Sequence, residues 1–483
     1  MDFTIIAIIS IYFIGMFFIG VYANKKTVSV SDYYVGGRNL GGLIVALVYF
    51  SSLVSAGALI GWTGLAGDWG MFFIYAASAV TVSTFVCWYF LGKKVMHLAR
   101  DLNLLTIPDF IEERYESKNA RLLASIILIV FAVPLMVSQY KAAGLLFNMV
   151  TGIPYEAAVI GFGVLVFLYV AAGGYLAVAY TDLVQGLIML FGMVTLIIVL
   201  VTKVGGLPGH LYAELNPSGA LSWPSAESAV DPSFFLSFLM LNFFGALGAP
   251  NYIRGFYTIK SGKELKRGFT IIVSIVVVIE VLIVLYGLYG RVLFPDLNDP
   301  DMLMLTMIKN LLHPVLAGVM LTALAAAMMS TMDSLLITIS STVENDILSK
   351  YFKVEMTQKK RLRIAQITTL IVGIISVVWG LYPPALLALL LYPAWGVLGL
   401  TFAVAFYGGL YWKRFNASGI NTFFIVVSIT FTAWNILDNP LGIYPIQAAL
   451  LLGVPLSLIA TYATSPTSEA TLDKFFNKNK KLV

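Results

Sequence analysis

Apolar residues gather in long stretches along the whole chain, and the polar residues between them are few and mostly charged. About 20 helical residues span a bilayer core. Runs at or near that length lie at 3–23, 41–66, 71–91, 120–150, 155–172, 180–203, 233–257, 269–294, 315–344, 365–383, 385–411, 418–437 and 444–464. The pattern predicts an all-α integral membrane protein of about 13 transmembrane helices. Composition agrees: 59% of the 483 residues are hydrophobic and 11% charged, whereas soluble domains carry about 25% charged residues.

Charge adds orientation. With the N-terminus outside, the intervals expected to face the cytoplasm hold Lys25, Lys26 and Arg38, then Lys93, Lys94, Arg100, Arg114, Lys118 and Arg121. Further cations at 254–267, 350–363 and 413–414 and in the tail fall on the same side, against Lys203, Arg291 and Lys309 outside. Such asymmetry predicts an external N-terminus and an internal C-terminus. The first run lacks a basic start and a small-residue cleavage site, so it is expected to stay as a span. One cysteine, Cys87, excludes an intrachain disulfide, and His97, His210 and His313 show no metal spacing. No GxxxxGK[ST] loop is present, so nucleotide hydrolysis is excluded as the energy source, and a net charge of +5 distributed in this way argues against nucleic acid.

Two runs are interrupted by small residues. The second contains Ser51, Ser52, Ser55, Gly57 and Gly61; the seventh contains Gly245, Gly248 and Pro250. If residues 1–23 form an extra N-terminal span, these open two successive sets of five, at 41–203 and 233–411. Two more helices at 418–464 and a cytoplasmic tail at 465–483 follow. Interrupted helices in matching places of two halves point to a binding site in a secondary transporter; tight helix crossings are the alternative. Residues 92–119 predict an amphipathic cytoplasmic segment, 205–233 an external loop, and 303–312 a short external helix.

The ninth run carries candidate chemistry. Ala327, Ser330, Thr331, Ser334, Thr338 and Ser341 recur at three- and four-residue steps, one face of a helix. Hydroxyls with close backbone access are hard oxygen ligands for an alkali cation, or else a packing face. Asp333 beside them is a carboxylate that costs roughly 3 kcal/mol in hydrocarbon, and packing needs no charge. Lys141 is a second intramembrane charge, expected either to bind a solute carboxylate or to pair with Asp333 or Glu280. Glu280 stands alone in a β-branched run.

Several stretches are then familiar: VSAGALIGWTG (54–64), LGKKVMHLARDLNLLTIPDF (91–110), TGIPYE (151–156), AAGGYLAVAYTDLVQG (171–186), FGALGAP (244–250), AAAMMSTMDSLL (325–336) and GLYWKRFNASG (409–419). On these the chain resembles the sodium:solute symporter family, its pantothenate permeases in particular. The resemblance implies a five-plus-five inverted repeat of the leucine-transporter type after one extra helix. It implies a Na⁺ site from the carbonyls of Ser51, Val54 and Ala327 and the hydroxyls of Ser330 and Thr331. It also implies a second cation position around Asp182, Ser330, Asp333 and Ser334, where two carboxylates would hold a cation or share a proton; Asp182 could instead cap a helix beside Thr181. Solute-lining candidates are Ala58, Gln139, Lys141, Asn242, Phe243 and Trp395. The expected activity is transport rather than catalysis: Na⁺-coupled import of a small organic solute, a carboxylate such as pantothenate or a monocarboxylate, with Na⁺ and no organic cofactor. Rival readings are a proline-like amino-acid symporter, a proton-coupled carrier using Asp333 and Lys141, and a solute sensor on a transporter scaffold. The expected partners are the solute and the lipid bilayer of the cell membrane, with the monomer as functional unit.

Overall fold

The computed structural model of the protein describes residues 3–55, 57–205, 231–382 and 387–477. Most of the expected external loop at 205–233, with His210, and the last residues of the tail lie outside them. Eleven of the described helices are long and apolar enough to cross a membrane, and the described residues contain no β-strand beyond one isolated bridge.

Helix α1 (Phe3–Asn24) leads through α2 (Val30–Val35), capped by Ser29, to α3 (Gly42–Leu53). There the chain leaves helical geometry, with Val54 at φ −89°, ψ 80°. It resumes in a wide π-type turn (Ala58–Trp62) and α4 (Thr63–Trp69), so the expected interruption is a real break. Helices α5 (Phe73–Val86) and α6 (Gly92–Asp101) return to the starting side. The expected amphipathic segment comprises α6 and α7 (Ile107–Tyr115), the latter started by a reciprocal Thr106–Asp109 cap. Helix α8 (Lys118–Thr151) is followed by α9 (Tyr155–Val204), two helical arms that meet at a kink between the spans expected at 155–172 and 180–203. Gly174, at φ 58°, ψ −148°, kinks it. A side chain there would also stand 2.5 Å from the ring of Tyr33, so both sterics and backbone demand glycine.

The second half repeats the device. Helix α10 (Pro232–Gly248) stops at Ala249, and α11 (Pro250–Ile253) and α12 (Gly255–Thr258) follow. Then come α13 (Gly262–Leu293), the short α14 (Leu303–Leu311) at the expected external helix, and α15 (Pro314–Ser341), extended by a π-helical segment to Tyr351. Helices α16 (Gln358–Leu381), α17 (Leu387–Tyr411), α18 (Ala417–Ile436) and α19 (Pro445–Ala463) complete the spans, and α20 (Glu469–Leu472) begins the tail.

Leu40 pairs with Ile259: its N–H donates to the Thr258 carbonyl at 3.0 Å and its carbonyl accepts from Lys260 at 2.9 Å. The start of the first broken helix therefore lies beside the end of the second, and since Ser52 at its other end meets Tyr252, the two run in opposite senses. Helix α15 is the most buried span, enclosed by α1, α3, α8, α9 and α16. Its run of Ala, Ser and Met lets those backbones come close.

Candidate cation and solute site

The last turn of α3 docks on the middle of α15. Ser330 Oγ donates to the carbonyl of Ser51 at 2.7 Å and lies 3.2 Å from that of Ala327. Thr331 Oγ1 donates to the Ala327 carbonyl at 3.1 Å. Ser52 Oγ meets Ser334 Oγ at 3.0 Å, and Tyr252 donates to the Ser52 carbonyl at 3.1 Å. Val54 closes this turn at the break, where the helix no longer supplies N–H donors to the carbonyls before it. The arrangement thus gathers uncharged oxygens from two helices. A hydroxyl donates and accepts, so the same oxygens that hydrogen-bond one another can all turn lone pairs toward one small cation. The residues present fit a small cation such as Na⁺ by the chemistry of their oxygens, none of which carries a formal charge.

One turn further along α15, Asp333 is fully buried. Its Oδ2 accepts from the Tyr169 hydroxyl at 2.7 Å, while Oδ1 has no protein partner among the described residues. Asp182, also fully buried, lies within electrostatic reach of Asp333 and Arg254 and beside Ser51, and neither of its carboxylate oxygens has a donor in hydrogen-bond geometry among the described residues. It is no helix cap: it sits eight residues beyond Gly174, inside α9. Tyr12 of α1 and Gln185 of α9 complete the surroundings. Arg254 reaches back across the break of the second helix to donate to the Ser334 carbonyl at 2.8 Å, with its guanidinium 5.0 Å from the Tyr175 ring centre. Sequence reading assigned none of Tyr12, Tyr169, Tyr175 or Arg254 to this place. Tyr175 and Gln185 had a signal, since both lie in the AAGGYLAVAYTDLVQG stretch.

Above the docked turn is a cavity of about 270 Å³ between the two breaks. Ser52, Ser55, Ala58, Trp62, Ser138, Gln139, Asn242, Tyr252, Thr331 and Trp395 line it, with no charged side chain among the described residues. Four of the solute candidates, Ala58, Gln139, Asn242 and Trp395, are brought together here. Gly245 makes room for Trp395: a Cβ at that position would be 2.0 Å from the indole nitrogen. Phe238 and Leu241 form the wall between this cavity and an outer one of about 220 Å³.

Two candidates are placed elsewhere. Lys141 is exposed, on the α8 face that carries Ile126, Val130, Leu145 and Met149. A helix turns about 200° between Gln139 and Lys141, so the first enters the cavity and the second points away. It forms no ion pair with Asp333 or Glu280 among the described residues. Phe243 packs its ring on Phe244, 5.4 Å between centroids, and offers its carbonyl to Ser83; it does not line the cavity.

Comparison with known proteins places this geometry. The sequence matches the sodium:solute symporter family over residues 33–425. It is 31% identical over 467 residues to the sodium/pantothenate symporter of Escherichia coli (strain K12), covering 95% of this chain and 97% of that one. It is 30% identical over 486 residues to the osmoregulated proline transporter OpuE of Bacillus subtilis (strain 168), covering 98% of both. Among solved structures, a Na⁺-coupled sialic acid symporter in a substrate-bound, outward-open state superposes with a TM-score of 0.85 at 21% identity, over 97% of this chain and 99% of that one. The nucleobase-cation-symport transporter Mhp1 gives 0.59 at 12% identity, over 92% and 99%. The oxygens at the break of α3, the interrupted helix pair and these likenesses agree, and the chain belongs to the sodium:solute symporter family.

Proposed function

We propose that this multi-pass plasma-membrane protein imports a small carboxylate by Na⁺-coupled alternating access. One observation carries the reading: Ser51, Ala327, Ser330 and Thr331 bring carbonyl and hydroxyl oxygens together where α3 breaks. A Na⁺ bound there, with the Val54 carbonyl as a fifth ligand, ties the broken helix to α15 and so favours one orientation of the helices around it. Coupling follows because an ion can shift such an equilibrium only by its difference in affinity for the two states.

The solute is proposed to occupy the uncharged cavity. Its carboxylate would face the start of the outer half-helix near Gly57 and Ala58, where the helix end is positive. Gln139, Asn242 and the serine hydroxyls then suit amide and hydroxyl groups, which pantothenate has and short monocarboxylates largely lack. The relatives include both a pantothenate and a proline carrier, and proline, smaller and zwitterionic, is the second reading. Asp182, Asp333 and Ser334 are proposed to hold a second cation. In the proposed topology, α9 counts as two crossings about Gly174, and α3 with α4 counts as one crossing apart from α5. That gives thirteen spans in an inverted five-plus-five repeat with flanking helices, the N-terminus outside and the C-terminus inside.

Uptake of labelled pantothenate, a short monocarboxylate and proline into proteoliposomes tests this, under an inward Na⁺ gradient, an inward proton gradient, or neither. Accumulation of one acid under Na⁺ alone is expected. Accumulation driven only by protons would retire the sodium reading, and proline alone would retire the carboxylate preference.

A further inference from the structure

Of the six buried carboxylates among the described residues, Asp109, Glu344 and Asp346 face guanidinium groups, and Asp182 and Asp333 belong to the site above. Glu280 is different. It is 5% exposed, its Oε2 has no partner among the described residues, and no charged side chain acts on it.

Its position follows from the packing of α13. Near one end, the Cβ position of Gly268 is 2.9 Å from the Gly42 carbonyl; near the other, that of Gly287 is 2.5 Å from the backbone of Ala66 and Gly67. Helix α13 therefore runs alongside the first broken helix in the same sense. Residues seven apart point within about 20° of each other on an α-helix, so Glu280 shares the inward face of Gly287. It looks at the stretch some seven residues before Ala66, the π-type turn Ala58–Trp62, on which α13 packs. Such wide turns leave carbonyls without their usual donors and recur at functional places. Titratable groups on the packed elements include Tyr49 on α3, Asp68 on α4, Tyr75 on α5 and Asp182 on α9. Tyr49 is committed to the Ala246 carbonyl at 3.2 Å, and none of the four acts on Glu280.

An isolated carboxylate in such a place needs a compensating positive charge. We propose that Glu280 is a binding position for one monovalent cation, a proton or Na⁺, held against the outer half of the first broken helix. It is separate from the Asp182–Asp333 pair, and its link to solute movement rests on the transport reading above. Occupancy would hold the half-helix to α13; loss of the cation would leave a bare charge there and drive the two apart or admit water.

The test needs no solute. The full-length protein, labelled with carbon-13 glutamate, is examined by infrared difference spectroscopy with and without Na⁺, at acid and at alkaline pH. A protonated-carboxyl band that Glu280→Gln abolishes identifies a proton; a carboxylate band that moves on Na⁺ addition, and is absent from Glu280→Gln, identifies Na⁺. A Glu280 band insensitive to both overturns the proposal. Should Glu280→Gln fail to fold, Glu280→Asp transfers the same band from the glutamate-labelled to the aspartate-labelled spectrum. Ser330→Ala, measured in parallel, is expected to keep the Glu280 signal, so failure of the main sodium site and failure of this one are told apart.

Discussion

Two groups of buried charge sit at different levels of this molecule, and they are built on opposite rules. At the end of α15 nearest the α7–α8 corner, every carboxylate faces a cation. Arg121 reaches Asp109 at 2.9 Å, Asp346 at 3.2 Å and, closer still, Glu112. Arg361 takes Glu344 at 2.6 Å, and Tyr34 closes the other oxygen at 2.7 Å. Asn345 and Thr106 add further bonds to the same carboxylates. Around Asp333 and Asp182, by contrast, three of four carboxylate oxygens have no donor in hydrogen-bond geometry among the described residues, and Nε and Nη1 of Arg254 have no acceptor among them. A buried polar group without a partner costs about 1–3 kcal/mol. The first group is a fixed clasp, joining α2, α7, α8, α15 and α16. The second has the shape of a place that exchanges ligands.

The clasp should fail by unfolding. Arg121→Met keeps an unbranched apolar stem but removes the guanidinium from three carboxylates, and removing one partner of a buried ion pair costs about 3–5 kcal/mol. Thermal unfolding of the purified protein should show a large drop in midpoint, with low yield. A variant as stable as the parent would mean that the clasp is solvated and that the contrast drawn above is false.

Ser330→Ala is the corresponding cut in the exchanging region. It removes one hydroxyl whose bonds go to the Ser51 and Ala327 carbonyls. Stability should change by no more than about 1 kcal/mol, while the apparent Na⁺ affinity falls ~10- to 100-fold, equivalent to about 1.4–2.8 kcal/mol. Thr331→Ala should act in the same direction. Equal Na⁺ dependence of uptake in both variants and parent would remove these oxygens from the ion site.

A finer cut separates the two cation positions. Tyr169→Phe takes away the hydroxyl that Asp333 Oδ2 accepts. If Asp333 helps to hold a second cation, its charge becomes freer to do so, and the dependence on that cation should shift by roughly tenfold with the main sodium site intact, since a hydrogen bond to a charged group is worth about 1.5–3 kcal/mol. Asp333→Asn should abolish the dependence instead. Identical ion titrations for both variants and parent would reduce Asp333 to a structural role.

What could be read from sequence here was what lies on one helix. The hydroxyl stripe of α15 repeats at helical steps, so Ser330 and Thr331 were visible as a face. The breaks at Val54 and Ala249 were visible because small residues gathered inside otherwise continuous runs. Asp333 stood out by its charge, but its partner did not: Tyr169 is 164 residues away and looks like any tyrosine in an apolar run. The clasp was invisible for the same reason: Arg121 read only as one of the cations expected to face the cytoplasm, and nothing along the chain joins it to Asp346, 225 residues away. Lys141 misled because a lysine in an apolar run has the same sequence whether it faces a cavity or the outside. Only the 200° turn from Gln139, fixed by packing, decides it. The two expected spans at 155–172 and 180–203 correspond to the two arms of α9, because the backbone leaves helical geometry at Gly174 between them.

The smallest effect concerns the margin of the clasp. Glu116, at the end of α7, accepts from the Ser468 hydroxyl and its N–H and from Thr471 Oγ1 at 2.7 Å, docking α20 of the tail. Those bonds, the Ser468 hydroxyl first, hold its carboxyl below the usual glutamate range. A carboxylate whose folded value is depressed adds stability above its unfolded value, near 4.3, and loses it as pH falls through the lower folded one. Because Glu116 is largely open to water, the contribution is small and screened by salt. Hydrogen exchange of residues 468–476 should therefore rise as pH drops below about 4, after correction for intrinsic rates, while exchange around Arg121 stays protected. Glu116→Gln should show the raised exchange already at neutral pH. If the tail and the clasp open together, they are one cooperative unit, and the boundary between fixed and exchangeable charge lies inside the membrane, at Ser341 and beyond, rather than at the tail.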